Sequence, residues 1–314
     1  MLCGAGCRQQ PTDGIAVIPK GTTHEFWKSV HAGAEKAAQE LGVKVIWKGP
    51  LREDDREDQV KVVEHFINMR VRGILLAPLD DTALVPVVTD AVRSNVPVAI
   101  FDSDLKSDET VSFVATDNYV GGKLAAEHMA KVLGGSKAKV MMLRYAEGSA
   151  STAAREKGFL DAIARHEDIE VVSSNQYGGA TTETAFKASE NLLTAHKAGD
   201  GLVVQGIFCP NESTAFGMLR ALIDGGLAGK VKFIGFDSSP KLVDAMAKGI
   251  MEATVVQDPI NMGYLSVKTM VEHLQGKPVA RRVDTGATLI TRQTMEEPRL
   301  KELLNPDFKR WLGE

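Results

Sequence analysis

The chain alternates between short apolar runs and longer segments in which apolar residues recur every three or four positions. Each run is nearly continuous and rich in β-branched residues, as expected of strands with both faces covered. The longer segments have the spacing of amphipathic helices. This alternation predicts βαβ units and parallel sheets. We expect strands at IAVIP (15–19), VKVIW (43–47), GILLA (73–77), PVAIFD (97–102), SFVAT (112–116), KVMMLR (139–144), IEVVSS (169–174), GLVVQGIF (201–208), VKFIGFD (231–237) and EATVVQ (252–257).

Two helices have clear signals at their ends. Residues 60–69 carry an apolar stripe, and the charged stretch 52–61 that overlaps their start is predicted to be a solvated loop and first helical turn. Another helix is expected to begin after Asp117 and Asn118, which are good N-caps, and to stop before Gly134.

The length of 314 residues exceeds what one ordinary core of about 150 residues accommodates, so two domains are expected. A boundary near 115–118 is plausible because two strands lie close together before a new capped helix. No Pro-rich or Gly-rich linker marks this boundary, which suits two lobes joined by a short hinge.

Composition excludes several classes of protein. The net charge of -4 argues against a nucleic-acid partner, because binding phosphates requires clustered Lys and Arg. The cysteines Cys3, Cys7 and Cys209 allow no disulfide framework, and their spacing does not favour a metal site. With 44% hydrophobic and 25% charged residues, the chain has the composition of a globular protein.

The N-terminal segment 1–13 resembles the end of a bacterial lipoprotein signal followed by a tether. GAGC ends at Cys7, which would carry the lipid, and the polar RQQPTD follows it. Gly4 stands where such signals usually have leucine, and a disordered N-terminus is the alternative. No other segment approaches the ~20 apolar residues that span a bilayer.

Polar residues follow several of the predicted strands, at the edge where open parallel sheets bind ligands. These carboxylates, amides and cations, with aromatic residues beside them, suit a neutral polyhydroxyl ligand, because they can bond paired hydroxyls and cover the C–H face of a sugar ring. A phosphate would be repelled by the two aspartates among them, Asp102 and Asp237. The candidates are Lys20, His24, Phe26, Trp27, Asp102, Arg155, Asn211, Phe236, Asp237 and Gln257.

Simpler interpretations of these residues stay open. Asp102 and Asn211 each follow a strand, where capping the next helix would be enough to explain them. Phe26 has the spacing of a core residue, whereas Trp27 is shifted off that stripe and suits the wall of a cleft. The sequence contains no GxGxxG, GxSxG, P-loop or HExxH motif, but two carboxylates could form a glycosidase pair, so a hydrolase is not excluded.

From Gly14 to about Gln293 the chain resembles the type I periplasmic sugar-binding proteins, most of all the ribose-binding proteins. The resemblance implies sugar contacts at Phe26, Trp27, Asp102, Arg155, Asn211, Phe236, Asp237 and Gln257. The stretches that carry it are EFWKSVHAGAEKAAQELG, GILLAP, VPVAIFDSD, VATDNYVGGKLAAEHMAK, STAAREKGF, LLTAH, NESTAFGMLRAL, FIGFDSSP and ATVVQDP.

Some positions depart from the ribose-binding pattern. Lys20 replaces a small hydroxyl residue, His24 an asparagine and Ser103 an arginine. A stacking aromatic expected near 178–180 is missing, and Tyr177 could serve instead. These changes put D-ribose itself in doubt and favour another monosaccharide or a polyol.

The resemblance implies an α/β fold of two similar Rossmann-like lobes with parallel sheets, joined by a hinge of three segments. It assigns residues 14–117 and 258–286 to the N-terminal lobe, and 118–257 and 287–314 to the C-terminal lobe. The implied function is capture of the sugar by hinge closure and delivery to the permease of an ABC transporter.

The resemblance further implies a monomer without cofactor, metal or catalytic residues, located in the periplasm or outside the cytoplasm, with membrane contact only through the lipid at Cys7. A receptor for chemotaxis or a sensor kinase is an alternative. A sugar-responsive transcription factor would need a helix-turn-helix of its own ahead of Gly14, where we see only thirteen residues.

Overall fold

A computed structural model of the chain describes residues 12–135 and 137–313. Cys3, Cys7 and most of the expected N-terminal tether lie outside the described residues. The described residues form two six-stranded sheets, each with one apolar cluster on either face, and a two-stranded ribbon. No described helix is long and apolar enough to cross a bilayer.

The strands of the two main sheets are short and mostly buried, in keeping with helices on both faces. In chain order the strands are β1 (Ile15–Ile18), β2 (Val45–Trp47), β3 (Gly73–Leu76), β4 (Val98–Phe101), β5 (Phe113–Ala115), β6 (Ala138–Arg144), β7 (Ile169–Tyr177), β8 (Lys197–Ala198), β9 (Gly201–Leu202), β10 (Gly206–Phe208), β11 (Lys232–Phe236), β12 (Ala253–Gln257), β13 (Arg282–Asp284) and β14 (Ala287–Thr291).

The helices cover the faces of the two sheets. They are α1 (Glu25–Leu41), α2 (Arg56–Met69), α3 (Val85–Arg93), α4 (Asn118–Leu133), α5 (Ala150–Ile163), α6 (Thr182–Ala195), α7 (Glu212–Asp224), α8 (Pro240–Ala247), α9 (Pro259–Leu274), α10 (Pro298–Leu304) and α11 (Lys309–Leu312).

All ten predicted strands are present, with one change. The run 201–208 contains two strands, because β9 pairs with β8 as a ribbon and only β10 joins a main sheet. The strand order is β13-β5-β4-β3-β1-β2 in the first sheet and β14-β12-β11-β10-β6-β7 in the second. Within the two main sheets, pairing is parallel except between β12 and β14, which confirms the predicted α/β class.

The chain passes between the sheets at three places, after β5, after β12 and after β13. Side chains fasten the first of these crossings to the third. The Asp284 Oδ1 atom accepts hydrogen bonds from the backbone N–H groups of Asp117, at 3.0 Å, and Gly286, at 2.8 Å. The Thr116 hydroxyl donates to the carbonyl of Gly286 at 3.1 Å. These bonds join the first connection to the third, and the pairing of Gln257 with Ala287 brings the second connection beside the third.

Helix ends follow the signals in the sequence. The Asp117 carboxylate accepts from the backbone N–H of Val120, and Gly134 ends α4 in the left-handed conformation, as predicted. Asp55 caps α2, which begins at Arg56 within the charged stretch. Asp258 caps α9 directly after the second crossing.

The C-terminal segment contacts both lobes. Leu304 of α10 is buried in the core of the second lobe. In α11, however, the Trp311 ring lies 5.8 Å from Nζ of Lys36 on α1, in the first lobe. The residue boundaries expected for the two lobes stay a prediction, and the last helix is the part that fits them least.

Close helix pairs pack through glycines in both lobes. A Cβ atom on Gly33 of α1 would lie 1.9 Å from the carbonyl oxygen of Ile260 on α9. In the second lobe a Cβ atom on Gly122 of α4 would lie 1.9 Å from the carbonyl oxygen of Arg155 on α5. Gly122 therefore lets α5 approach closely and fixes the backbone position of Arg155.

We predict that Gly122→Ala destabilises the protein by roughly 1–3 kcal/mol, because the added methyl group meets backbone that can move only by shifting α5. Urea unfolding measures this change. Lys131→Ala, at an exposed position of the same helix, is the control and should stay within about 0.5 kcal/mol of wild type. Equal stability of the two variants would contradict the packing argument.

Candidate functional site

A small cavity lies between the carboxyl ends of the two sheets. It is lined by nine of the sequence-predicted residues, Lys20, His24, Phe26, Trp27, Asp102, Arg155, Asn211, Asp237 and Gln257. Five further residues that we did not predict complete the lining, Glu53, Tyr145, Ser151, Thr152 and Glu212. The strand ends of both lobes thus converge on one site, as the topology of open parallel sheets implies.

Asp102 and Asp237 occupy equivalent places in the two lobes. Asp102 follows β4 with a φ of 61°, and Asp237 follows β11 with a φ of 66°. Non-glycine residues in the left-handed region are uncommon, and such strain clusters at functional sites. Asn118 and Thr254 hold the two turns by donating to the carbonyl oxygens of Asp102, at 3.3 Å, and Asp237, at 2.7 Å.

Three cations line the cavity, and a carboxylate lies beside each. Lys20 Nζ lies 3.4 Å from Asp102 Oδ2, and Arg155 Nη1 lies 3.7 Å from Asp237 Oδ2. His24 Nδ1 lies 2.6 Å from Glu53 Oε1. The pairs formed by Lys20 and Arg155 are almost fully buried, so their charges are little screened by water.

The His24–Glu53 pair is ionised. Burial lowers the pKa of His24, but the charge of Glu53 and its hydrogen bond outweigh burial and raise this pKa to about 9. Burial raises the pKa of Glu53, and His24 outweighs it and lowers this pKa to about 2. Both groups therefore carry their charges across the whole neutral range.

Glu53 does not lie in a solvated loop, so that prediction is wrong at this residue. Its side chain is 6% exposed, and both carboxylate oxygens are used. Oε1 accepts from the indole N–H of Trp27 as well as from His24, and Oε2 accepts from the hydroxyl of Tyr145 in the second lobe. Glu53 thus orients the Trp27 ring and joins the lobes.

The second wall is organised around Asp237. Gln257 Nε2 donates to Asp237 Oδ1 at 2.7 Å, and the backbone N–H of Glu212 donates to Oδ2 at 3.1 Å. Burial raises the pKa of Asp237, and the charge of Arg155 opposes this rise. Gln257 Oε1 is buried without a hydrogen-bond partner. One acceptor on this wall is therefore left for a donor that enters the cavity.

Arg155 is held from several sides. Its Nε donates to Asn118 Oδ1 at 2.8 Å, and Nη1 donates to the carbonyl of Pro210 at 2.9 Å. The guanidinium carbon lies 3.9 Å from the ring centroid of Phe236. The planar group is thus fixed in one orientation at the cavity wall.

Lys20 extends across the cleft to the second lobe. Its Nζ donates to the hydroxyls of Ser149, at 3.1 Å, and Ser151, at 3.0 Å. The backbone N–H of Ser151 in turn donates to the Ser103 hydroxyl of the first lobe at 3.1 Å. The lobes therefore meet in a closed arrangement, with direct hydrogen bonds between their walls.

Glu212 also spans the cleft. Its carboxylate accepts from the backbone N–H groups of Glu25, at 3.4 Å, and Phe26, at 3.2 Å. Burial raises the pKa of Glu212 to about 7, although the charge of His24 and these hydrogen bonds act in the opposite direction.

Three predicted site residues do not line the cavity. Ser103 is fully buried and takes part in the interlobe hydrogen bond to Ser151. Phe236 lies behind Arg155 and supports the guanidinium group. Tyr177 is 37% exposed, and its ring stacks with Arg144 outside the cavity, so it does not replace the missing aromatic.

The open alternatives for Asn211 and the aromatics are resolved by the geometry. Asn211 caps α7 by accepting from the backbone N–H of Thr214 at 3.2 Å, and it also lines the cavity. Phe26 and Trp27 are both buried against the core and both reach the cavity, with ring centroids 4.8 Å apart. Core packing and a place at the site are thus compatible.

Some of the missed residues had usable signals. Tyr145 directly follows β6, so the rule of polar residues after strands would have found it, and Glu212 stands next to the predicted Asn211. Ser151 and Thr152 lie within the STAAREKGF stretch. Glu53 had no such signal, because it is one acid among several in a charged run.

Comparison with known proteins agrees with this fold. A family profile described as periplasmic binding protein domain matches residues 15–278. The ribose import binding protein RbsB of Escherichia coli (strain K12) is 31% identical over 284 residues, which cover 90% of this chain and 91% of that protein.

Two solved structures have similar folds. A carbohydrate transporter solute-binding protein from Agrobacterium radiobacter in complex with D-arabinose has a TM-score of 0.88 and 34% identity, and the match covers 93% of this chain and 98% of the other. An ABC transporter solute-binding protein from Agrobacterium vitis with bound D-fucose has a TM-score of 0.87 and 36% identity, covering 93% of this chain and 99% of the other.

The shifted pKa values predict a pH-dependent stability. The raised pKa of His24 contributes stability that is complete below pH 6.5 and is lost as the pH rises through about 9. The lowered pKa of Glu53 contributes stability above pH 4.5 that is lost as the pH falls towards 2. The pair should therefore stabilise the protein most between pH 4.5 and 6.5.

His24→Gln should lower the free energy of unfolding most near pH 6, by on the order of 2 to 3 kcal/mol, and progressively less as the pH rises. Denaturant unfolding of wild type and variant between pH 5 and 10 measures the difference. His65→Gln, on the exposed side of α2, controls for the loss of an imidazole. A loss from His24→Gln that is constant across this range would contradict an ionised pair.

Proposed function

The chain belongs to the periplasmic binding protein domain family, and from this membership and the cavity between its lobes we propose that it captures a monosaccharide or polyol outside the cytoplasm by hinge closure. The captured solute is then delivered to the permease of an ABC importer. The relatives of this chain are transport proteins of this kind by name.

The charge balance of the cavity is the observation that carries the proposed ligand class. Each of the three lining cations has a carboxylate beside it, so the wall presents no unpaired positive group to an anion. A phosphorylated sugar would face Asp102, Asp237 and Glu53 without a free cation to match it. A neutral ligand leaves these pairs intact.

The unpartnered acceptor in the wall favours a ligand with hydroxyl groups. Gln257 Oε1 is buried, and a buried polar atom without a partner costs about 1–3 kcal/mol. A sugar hydroxyl can donate to this oxygen and accept from a neighbouring group at the same time. The rings of Phe26 and Trp27 supply the apolar surface that the C–H face of a sugar requires.

The identity of the sugar depends on residues of the first lobe that depart from the ribose-binding pattern. Lys20 and His24 each form an ion pair with a carboxylate, so the donors that a ligand meets here differ from those in the ribose-binding pattern.

The ion pairs and hydrogen bonds of the cavity carboxylates argue against an enzyme. A glycosidase uses one carboxylic acid and one free carboxylate. In this cavity Asp102 lies against Lys20, Asp237 is bonded by Gln257 and the backbone, and Glu53 has three side-chain donors. We therefore propose binding without catalysis.

Location follows the proposed function. Family membership implies a periplasmic or other extracytoplasmic site of action. Lipid attachment at Cys7 stays a prediction, since Cys7 lies outside the described residues. The monomeric state also stays a prediction. A receptor for chemotaxis or a sensor kinase would use the same capture step with a different docking partner.

We predict that at least one sugar in a panel of D-ribose, D-arabinose, D-fucose and D-allose raises the melting temperature. A ligand at a hundred times its dissociation constant stabilises the folded state by about 2.7 kcal/mol, which a thermal-shift assay detects readily. A flat response to every sugar and polyol tested, together with hydrolysis of a glycoside, would instead support an enzyme.

Asp102→Ala should weaken binding of the selected sugar by about 100-fold, because ligand hydroxyls and Lys20 both lose their acceptor in a buried cleft. Isothermal titration calorimetry measures the change. Asp104→Ala is the matched control, since Asp104 lies two positions further on and pairs with Arg282 at the surface. Equal affinity in the two variants would remove Asp102 from the site.

A further inference from the structure

We infer that Glu212 is a positioning residue that stabilises the closed arrangement of the lobes by capping helix α1 across the cleft. No prediction from the sequence singled out this residue. The inference rests on the proposed capture by lobe closure and adds the contact that holds the lobes together next to the ligand site.

Helix α1 lacks a cap from its own side of the cleft. Its N-cap residue, His24, makes no side-chain hydrogen bond to the helix, because the imidazole is turned towards Glu53 instead. Asp55, Asp117 and Asp258, by contrast, cap α2, α4 and α9 with their own carboxylates. The first N–H groups of a 17-residue helix are therefore left for another partner.

Glu212 supplies that partner from the opposite lobe. It is the first residue of α7 and is only 9% exposed. Its two carboxylate oxygens accept separately from the N–H groups of Glu25 and Phe26. A carboxylate at a helix N-terminus also interacts favourably with the helix dipole. These bonds join different lobes, so they exist only while the lobes are closed.

Glu212 also connects the cap to the ligand wall. Its own backbone N–H donates to Asp237 Oδ2, and Asp237 is bonded in turn to Gln257 and lies beside Arg155. These contacts lie within the second lobe, so closure is not needed to form them. A ligand that orders Asp237 therefore also orders the residue that closes onto α1.

The consequence is a specific effect on lobe closure rather than on the folding of either lobe. Loss of a carboxylate cap typically weakens a helix end enough to change an equilibrium about 5- to 30-fold. We expect a change of this size in the ratio of closed to open protein. We expect an equal loss of affinity for the sugar, caused by faster dissociation.

A backbone substitution tests the cap without altering the cavity. Glu25 is the first residue of α1 and does not line the cavity. Proline is well tolerated at this helix position and has no N–H to donate. The preceding residue, His24, already has the extended conformation that proline requires, with φ −86° and ψ 149°. Glu25→Ala is the matched control, because it removes the side chain and keeps the N–H.

The experiment measures the distance between spin labels on the two lobes by double electron–electron resonance. Labels at Lys61→Cys on α2 and Lys187→Cys on α6 occupy exposed positions, with Cys3 and Cys7 replaced by serine. Distances are recorded without sugar and with D-arabinose, D-fucose and D-ribose. Circular dichroism melting of each variant shows that the lobes remain folded.

Glu212→Ala and Glu25→Pro should both shift the distances towards open protein, whereas Glu25→Ala should resemble wild type. The double variant Glu25→Pro/Glu212→Ala should add little to Glu212→Ala alone, because both changes break the same contact. Identical distances in Glu25→Pro and Glu25→Ala, with no shift in Glu212→Ala, would overturn the inference.

The outcomes also separate this inference from the proposed function. If Glu212→Ala loses sugar binding while its lobe distances match wild type, then Glu212 is a ligand contact, and only the inference fails. If the variants differ in closure without sugar but no sugar closes wild type, then the proposed function fails and the cap stands. A wild type that is open in every condition overturns both.

Discussion

A charge buried between two separable lobes must be matched by an opposite charge or by several hydrogen bonds, since an unmatched one costs several kcal/mol. In this protein each buried cation of the cleft has a carboxylate of its own lobe beside it. Lys20 with Asp102 and His24 with Glu53 lie in the first lobe, and Arg155 with Asp237 lies in the second. Each of these three pairs is therefore balanced before the lobes meet, whereas the Glu212 carboxylate of the second lobe finds its donors only across the cleft.

Hydrogen bonds and not ion pairs then join the two walls. Lys20 donates to serine hydroxyls of the other lobe, Tyr145 donates to Glu53, and backbone N–H groups of α1 donate to Glu212. Such bonds exchange with bonds to water, so even with one charged partner their net contribution is about 1.5–3 kcal/mol each. Contacts of this strength suit a cleft that must open again, and they leave the choice between open and closed to the ligand.

Most of the fold followed from periodicity in the sequence. The apolar runs were short, the segments between them had helical spacing, and the ends of α4 carried an aspartate and a glycine. These signals are local, so they survive without knowledge of the rest of the chain. The run 201–208 was harder because its apolar character is continuous, while the pairing of β9 with β8 depends on a turn that apolar spacing does not reveal.

The candidate site was predictable to the extent that strand ends converge. Position after a strand placed Asp102, Asn211, Asp237 and Gln257 correctly at the cavity. The same rule could not show that Phe236 lies behind Arg155, or that the side chain of Tyr177 turns away towards Arg144. A position along the chain fixes where a backbone emerges but leaves the side-chain direction to its neighbours.

The sequence by itself determined the α/β class, the strands and the chemical character of the ligand wall, because each depends on residue type and local spacing. Only the tertiary structure decided which charges pair and which residues span the cleft. Glu53 shows why. Within its charged run it is indistinguishable from the solvated acids beside it, and only the approach of His24, Trp27 and Tyr145 from distant parts of the chain provides the three donors that bury its carboxylate.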